Sequence, residues 1–233
     1  MSLKLYYHPL ASFCHKALIA LYENATPFEP AIVDLADEKS AAAFKAIWPM
    51  GRFPVLRDEA RGSTVAESTI VVEYLDAFYP GTTRFVPADA DRAWRTRMWD
   101  RFHDEYVEKP MQKIVTDRLR PEGKRDPLGV EQARAQLGEA YALLDCEMES
   151  KRWAMGDEFT LADCSAAPAL FYANTVEPFG ETRNLTAYLD RLLARASFSR
   201  VLREAEPYFP LFPMERKPQI ARAVSRPDPR RKQ

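Results

Sequence analysis

Residues 3–22 read LKLYYHPLASFCHKALIALY, and this stretch carries the strongest structural signal in the chain. Its first five residues, Leu3–Tyr7, favour a β-strand, which Pro9 stops because proline cannot donate a hydrogen bond to a neighbouring strand. Apolar residues then recur at helical spacing as far as about Asn24, and Ser12 is a residue type that often caps helices. The stretch therefore predicts a strand that passes through a short loop into a helix.

The residues that follow continue the alternation of strand and helix. Residues 28–33 predict a second strand, and residues 37–48 predict an Ala-rich helix that a following proline ends. Two short strands, 55–56 and 64–66, flank a hairpin connection, and residues 68–79 predict a helix with one apolar face. The order β-α-β-α-β-β-α indicates an α/β unit of about eighty residues.

The pattern changes after residue 80. We expect residues 1–80 to form the α/β domain, residues 81–90 a turn-rich linker, and residues 91–215 an all-helical domain. Residues 216–233 hold seven basic residues and one acidic residue, and we expect this basic tail to be disordered. The predicted helices of the second half are 91–115, 128–149, 161–175, 185–195 and 198–206.

Composition excludes several classes of protein. The 233 residues contain 33 Lys and Arg against 34 Asp and Glu, so a net charge of −1 argues against nucleic-acid binding. No apolar run approaches the length needed to cross a bilayer, and the first residues lack the layout of a secretion signal. Three scattered cysteines and three histidines argue against disulfides and a metal site, and they favour a reducing, cytoplasmic location.

The loop before the first predicted helix is suited to an anion. N–H groups at a helix N-terminus have no partner within the helix, and the helix dipole favours negative charge there. A bound thiol at this point would ionise more readily than a free thiol, whose pKa is about 8.5. Ser12 could donate its hydroxyl hydrogen to such a thiolate, or Cys14 could form a mixed disulfide. Alternatively, Ser12 is only a helix cap and Cys14 is a small buried residue.

Two further segments could hold other parts of a ligand. A cis Phe53–Pro54 bond would turn the Val55 backbone outward, where it could pair with a peptide-like ligand. Arg52 could bind a carboxylate, although an exposed arginine is the commoner case. Ser68 as a helix cap would leave N–H donors free for a carboxylate, and Glu67 could accept a hydrogen bond from an ammonium. Together these features suit a ligand with a thiol, carboxylates and an ammonium.

A fourth motif belongs to folding. Thr160 and Asp163 are three residues apart at the start of an apolar helix, which is the spacing of a capping box with Asp in place of Glu or Gln. The Thr160 hydroxyl would cap the helix, and the Asp163 carboxylate would accept a hydrogen bond in return. We therefore expect a structural role for this pair.

The four motifs, taken in order over roughly residues 3–210, resemble the glutathione transferase family, with a bacterial-like serine- or cysteine-type class. The resemblance implies a thioredoxin-like N-terminal domain, an all-helical C-terminal domain and a homodimer. It also implies that Val55 holds the cysteinyl backbone of glutathione through main-chain bonds beside a cis Pro54. Glu67 and Ser68 would then hold the γ-glutamyl end. The implied glutathione-binding residues are Phe13, Arg52, Phe53, Pro54, Val55, Glu67 and Ser68.

One position departs from the family pattern. Ala11 occupies the place where serine- and cysteine-type classes carry the catalytic hydroxyl or thiol, and alanine offers no group to a thiolate. Ser12 is therefore the candidate for hydrogen bonding to the sulfur, with Tyr7 and Cys14 as alternatives. The backbone N–H of Phe13 or of Ser12 could also serve.

The expected activity is conjugation of the glutathione thiolate to a small hydrophobic electrophile, as in detoxification. Phe102, Tyr106 and Tyr172 could line the second-substrate cleft, or they could belong to the helical core. The first alternative function is a glutathione-dependent thiol–disulfide reductase or peroxidase that uses Cys14. The second is a non-catalytic binding module with the same fold. Glutathione is the expected co-substrate, with no metal, nucleic acid or membrane as a partner.

Overall fold

A computed structural model describes residues 2–220, and its first half contains the predicted alternation of strands and helices. The order β-α-β-α-β-β-α is confirmed. The elements are β1 (Leu3–Tyr7), α1 (Ser12–Glu23), β2 (Glu29–Ile32), α2 (Glu38–Ile47), β3 (Val55–Asp58), β4 (Ser63–Ala66) and α3 (Ser68–Phe78).

The four strands form one mixed sheet in the order β2-β1-β3-β4. β1 pairs with β2 in parallel through the crossover helix α1, and β3 is antiparallel to both β1 and β4. In the register of the sheet, Val55 lies opposite Tyr6 on one side and Ala66 on the other. β1 and β4 therefore end at the same edge of the sheet where β3 begins. This topology brings the start of α1, the Phe53–Pro54 turn and the start of α3 together.

The second half of the described chain is helical, as predicted, and residues 67–220 contain no strand. The predicted helix 91–115 is present as consecutive helical segments, of which residues His103–Glu108 are π-helical with a wider turn. The helices are α4 (Ala90–Phe102), α5 (Lys109–Asp117), α6 (Pro127–Glu147), α7 (Leu161–Val176), α8 (Arg183–Ala194) and α9 (Ala196–Ala205). The thioredoxin-like plus all-helical architecture predicted from the sequence is thus confirmed.

Helix α7 is the centre of the apolar core. All of its residues except Asn174 are buried, and one apolar cluster continues from the sheet through the helical half. The capping box at its start is present, because Asp163 accepts hydrogen bonds from the backbone N–H of Thr160 at 2.9 Å and of Ala154 at 2.8 Å. The Tyr188 hydroxyl donates to the same carboxylate at 2.6 Å. The structural role predicted for Thr160 and Asp163 is confirmed.

A buried ionic cluster joins the two halves. The Lys16 ammonium on α1 forms ion pairs with Asp100 on α4 and, at 3.1 Å, with Asp104 in the π-helical segment. It also donates to the Thr69 hydroxyl on α3 at 2.8 Å, and Thr69 donates to Asp100 at 2.8 Å. Lys16 is only 1% exposed, and its bonds fix α1 and α3 against the helical half.

No helix in residues 2–220 combines the length and apolar character that a membrane span requires. The basic tail predicted to be disordered comprises residues 216–233. Its residues 221–233 lie outside the described residues.

Candidate functional site

A cleft of about 510 Å³ lies where the sheet edge meets the helical half. Both halves of the chain contribute to its wall, and six of the seven predicted glutathione-binding residues meet in it. The lining residues are Phe13, Arg52, Phe53, Pro54, Glu67, Ser68, Thr69 and Ile70 from the first half, and Arg101, Asp104, Glu105, Lys109 and Gln112 from the helical half.

The start of α1 is open to an anion, although Ser12 does not cap it. Ala11 precedes the helix in an extended conformation without any side-chain cap, and Ser12 is the first helical residue. The first amides bonded back to Ala11 are those of Cys14 and His15, at 2.9 and 3.1 Å. The earlier N–H groups, of Ser12 and Phe13, are thus the ones that a helix leaves for an external acceptor. The prediction that Ser12 is the helix cap is wrong.

The Ser12 hydroxyl instead contacts the helical half of the molecule. It donates a short hydrogen bond to the Glu108 carboxylate, ninety-six positions along the chain. Ser12 is 7% exposed and does not itself line the cleft, whereas the next residue, Phe13, does. Because a hydroxyl has one hydrogen, a Ser12 that donates to Glu108 has only its lone pairs to offer a ligand.

The start of α3 has an unusual backbone. Glu67 precedes the helix with φ of 68°, a left-handed conformation that is rare for residues other than glycine. Its side chain makes no capping hydrogen bond, and Ser68 is the first helical residue rather than the predicted cap. Such conformations are found where the surrounding structure enforces them, often at binding sites. Glu67 and Ser68 both line the cleft next to the free N–H groups of α3.

Phe53 and Val55 are placed differently from each other. The Phe53–Pro54 bond is cis, as expected from the sequence, and both Phe53 and Pro54 line the cleft. Val55 departs from its predicted place: it is fully buried and does not line the cleft. Val55 lies between Tyr6 of β1 and Ala66 of β4 in the register of the sheet, and its contact with a ligand stays a prediction.

The helical wall of the cleft is charged. Glu105 accepts hydrogen bonds from both Arg101 and Lys109, one turn away on either side. The hydrogen bond from Lys109 is the main reason that the pKa of Glu105 lies below its usual value. Gln112 follows on the same wall. These residues were not predicted from the sequence, because their charge pattern is typical of any exposed helix.

The predicted second-substrate residues do not line this cleft. Tyr172 is buried in the core, where it stacks on Phe212 with ring centroids 5.4 Å apart. Tyr172 therefore belongs to the helical core, the alternative given for it. Phe102 and Tyr106 stack on each other with ring centroids 5.1 Å apart and do not line this cleft, and their contact with a second substrate stays a prediction.

The alternative candidates for the reacting group are withdrawn from the cleft. Cys14 is fully buried, and burial raises the pKa of its thiol far above the usual value. Tyr7 is 7% exposed, and burial likewise raises the pKa of its hydroxyl. Neither side chain lines the cleft. The hypothesis of a redox-active Cys14 therefore lacks the accessible, low-pKa thiol that it requires.

Comparisons with known proteins agree with this geometry. Residues 5–83 match the family described as "Glutathione S-transferase, N-terminal domain", and residues 127–191 match "Glutathione S-transferase, C-terminal domain". Glutathione S-transferase GstB of Escherichia coli is 27% identical over 190 residues, which cover 80% of this chain and 91% of that relative.

Two solved structures have the same fold. A glutathione S-transferase from Methylobacillus flagellatus, determined with GSH bound, is 25% identical with a TM-score of 0.78 and covers 86% of this chain and 98% of its own. One from Methylobacterium radiotolerans, determined in complex with glutathione sulfonate, is 26% identical with a TM-score of 0.74 and covers 85% and 93%.

Proposed function

The chain belongs to the glutathione transferase family, and we propose that it binds glutathione in the cleft and transfers the glutathione thiolate to a small electrophile. One observation carries this proposal: the starts of α1 and α3 open into the same cleft. Two helix N-termini supply unpaired N–H groups and positive dipole ends. Glutathione offers a thiolate and two carboxylates to match them.

The γ-glutamyl end of glutathione belongs at α3 in this proposal. Its carboxylate accepts from the N–H groups at the start of the helix and from the Ser68 hydroxyl, and its ammonium donates to Glu67. Arg52, on the same side of the cleft, pairs with the other carboxylate. The cysteinyl backbone lies along Phe53 and Pro54, and Val55 supports that turn from inside the sheet.

The sulfur then lies at the start of α1. The free N–H groups of Ser12 and Phe13 stabilise the thiolate over the thiol, because a negative charge there interacts with the helix dipole. Ser12 is the side chain that contacts the sulfur. The electrophile approaches from the helical wall with its apolar part against Phe13 and Phe53.

Exposed apolar side chains support a homodimer. Phe78 on α3 and Trp94 and Met98 on α4 are each about half exposed. Large apolar side chains on neighbouring helices of one face are typical of protein–protein contact surfaces. Three cysteines without a disulfide support a cytoplasmic location. Detoxification is the proposed role.

Titration calorimetry with glutathione tests the binding step. The Glu67→Gln variant should bind glutathione about tenfold or more weakly than the wild type, because a charge-assisted hydrogen bond contributes roughly 1.5–3 kcal/mol. The control is Glu139→Gln, which changes an exposed carboxylate on α6 and should leave the affinity unchanged. Equal affinities of the Glu67 variant and the wild type would contradict the placement of the γ-glutamyl group.

Turnover with a chromogenic aryl halide tests the transfer step. Ser12→Ala should lower kcat while glutathione affinity stays nearly the same, since the sulfur is the one part of glutathione that this side chain contacts in the proposal. Wild-type protein that binds no glutathione would refute the proposal as a whole. A wild type that binds glutathione but turns over none of a panel of electrophiles would instead favour the non-catalytic binding module.

A further inference from the structure

Glu108 is a buried carboxylate with no assigned role, and it is linked to the cleft by two hydrogen bonds. It accepts from the Ser12 hydroxyl at the start of α1 and, at 2.8 Å, from the side-chain amide of Gln112 on α5. Both bonds end on the same oxygen, Oε1. Gln112 lines the cleft, and Ser12 adjoins the cleft residue Phe13.

The surroundings of Glu108 leave its negative charge incompletely compensated. The side chain is 2% exposed, and within residues 2–220 its second oxygen, Oε2, has no hydrogen-bond partner. The charged groups that face it are Lys16 on α1, which is shared with two aspartates, and Asp104 in its own segment; the Tyr172 hydroxyl faces it from α7. Gln112 on α5 adds a neutral hydrogen-bond donor. Burial is the main cause that raises this pKa to about 7.

From this geometry we propose that Glu108 receives the proton of the bound glutathione thiol through Ser12. The inference rests on the proposed glutathione site. In the step, the S–H bond breaks and its proton forms a bond to Ser12 Oγ, while the hydroxyl proton of Ser12 passes to Glu108 Oε1. The negative charge moves from the carboxylate to the sulfur, and no proton leaves the protein.

The direction of the Ser12 hydrogen bond makes this order necessary. While Glu108 is ionised it takes the only hydrogen of Ser12, so the hydroxyl meets the thiol as an acceptor. After the transfer, neutral Glu108 donates to Ser12, and Ser12 donates to the thiolate. The buried carboxylate becomes neutral, which removes its desolvation penalty, and the charge arrives where the start of α1 stabilises it. Glu108 does not touch the sulfur and acts only through Ser12.

The test compares thiolate formation with proton release when glutathione binds at about pH 8, where Glu108 is mostly ionised and free glutathione is mostly a thiol. Ultraviolet difference absorbance measures the thiolate. Calorimetry in buffers of different ionisation enthalpy measures the protons released. The wild type should form thiolate with almost no proton release, because the negative charge of the neighbouring thiolate disfavours a second ionisation and keeps the transferred proton on Glu108. Glu108→Gln, which keeps the shape of the side chain, should release close to one proton for each thiolate formed.

A matched control sharpens the test. Glu139→Gln, on the exposed face of α6, should behave like the wild type. Equal proton release by the wild type and Glu108→Gln, with thiolate present in both, would overturn this inference and leave the proposed function intact. A wild type that forms no thiolate would refute the proposed function, and the inference with it.

Discussion

Replacing Glu108 with Gln should change how the stability of the ligand-free protein depends on pH. The carboxyl has a pKa of about 7 in the folded protein and an ordinary value of 4.5 when unfolded. Between these values the folded state binds one more proton than the unfolded state, so wild-type stability falls as pH rises through this window and stays at the lower level above it. Glutamine does not titrate and escapes this loss.

The size of the effect follows from the same values. Each pH unit in the window corresponds to about 1.4 kcal/mol, so the free energy of unfolding of Glu108→Gln should gain about 2–3 kcal/mol on the wild type between about pH 5 and about pH 8. Only this change with pH matters, so any constant effect of the substitution cancels.

Urea unfolding followed by tryptophan fluorescence at several pH values measures the difference directly. The exposed control Glu139→Gln should follow the wild type across the range. If the difference between Glu108→Gln and the wild type stays constant from about pH 5 to about pH 8, then Glu108 does not titrate near neutral pH in the folded protein, and the reasoning about its burial is refuted.

Three other outcomes are expected. Lys16→Met should lower the free energy of unfolding by about 3–5 kcal/mol at neutral pH, because Asp100 and Asp104 then keep buried charges without their cation. A loss below about 1 kcal/mol in urea unfolding would contradict the stabilising role of the ionic cluster. Iodoacetamide should label the exposed Cys146 in the native protein but Cys14 only after unfolding, and mass spectrometry showing equal rates would restore the redox hypothesis. Tyr188→Phe should lower the free energy of unfolding by about 1–3 kcal/mol, because it removes a hydrogen-bond donor from the buried Asp163 carboxylate. An unchanged melting temperature would contradict this prediction.

Local signals in the sequence were sufficient for the elements that form the cleft. The strand Leu3–Tyr7 has its predicted limits, and the Thr160–Asp163 box has its predicted hydrogen bonds, because both depend on residues close in sequence. The alternation of strands and helices predicts the fold class, and the fold class fixes the order of the strands in the sheet. That order brings the three turns together at one sheet edge.

The features that could not be predicted depend on distant residues or on backbone geometry. Ser12 is a favourable capping residue, yet its hydroxyl bonds to Glu108 from the other half of the molecule, and no local pattern connects them. Glu67 has a left-handed backbone conformation, which residues other than glycine rarely adopt. Its residue type therefore gave no sign of this conformation. The charged cleft wall at Arg101, Glu105 and Lys109 has the spacing of ordinary surface ion pairs on a helix.

The central claim is that the start of α1 keeps the sulfur of bound glutathione as a thiolate, and a pH titration of the complex tests it most directly. Ultraviolet difference absorbance of the saturated wild-type complex should show thiolate forming with an apparent pKa at least about one unit below the value of about 8.5 for a free thiol. A bound thiol that titrates like free glutathione would contradict the account.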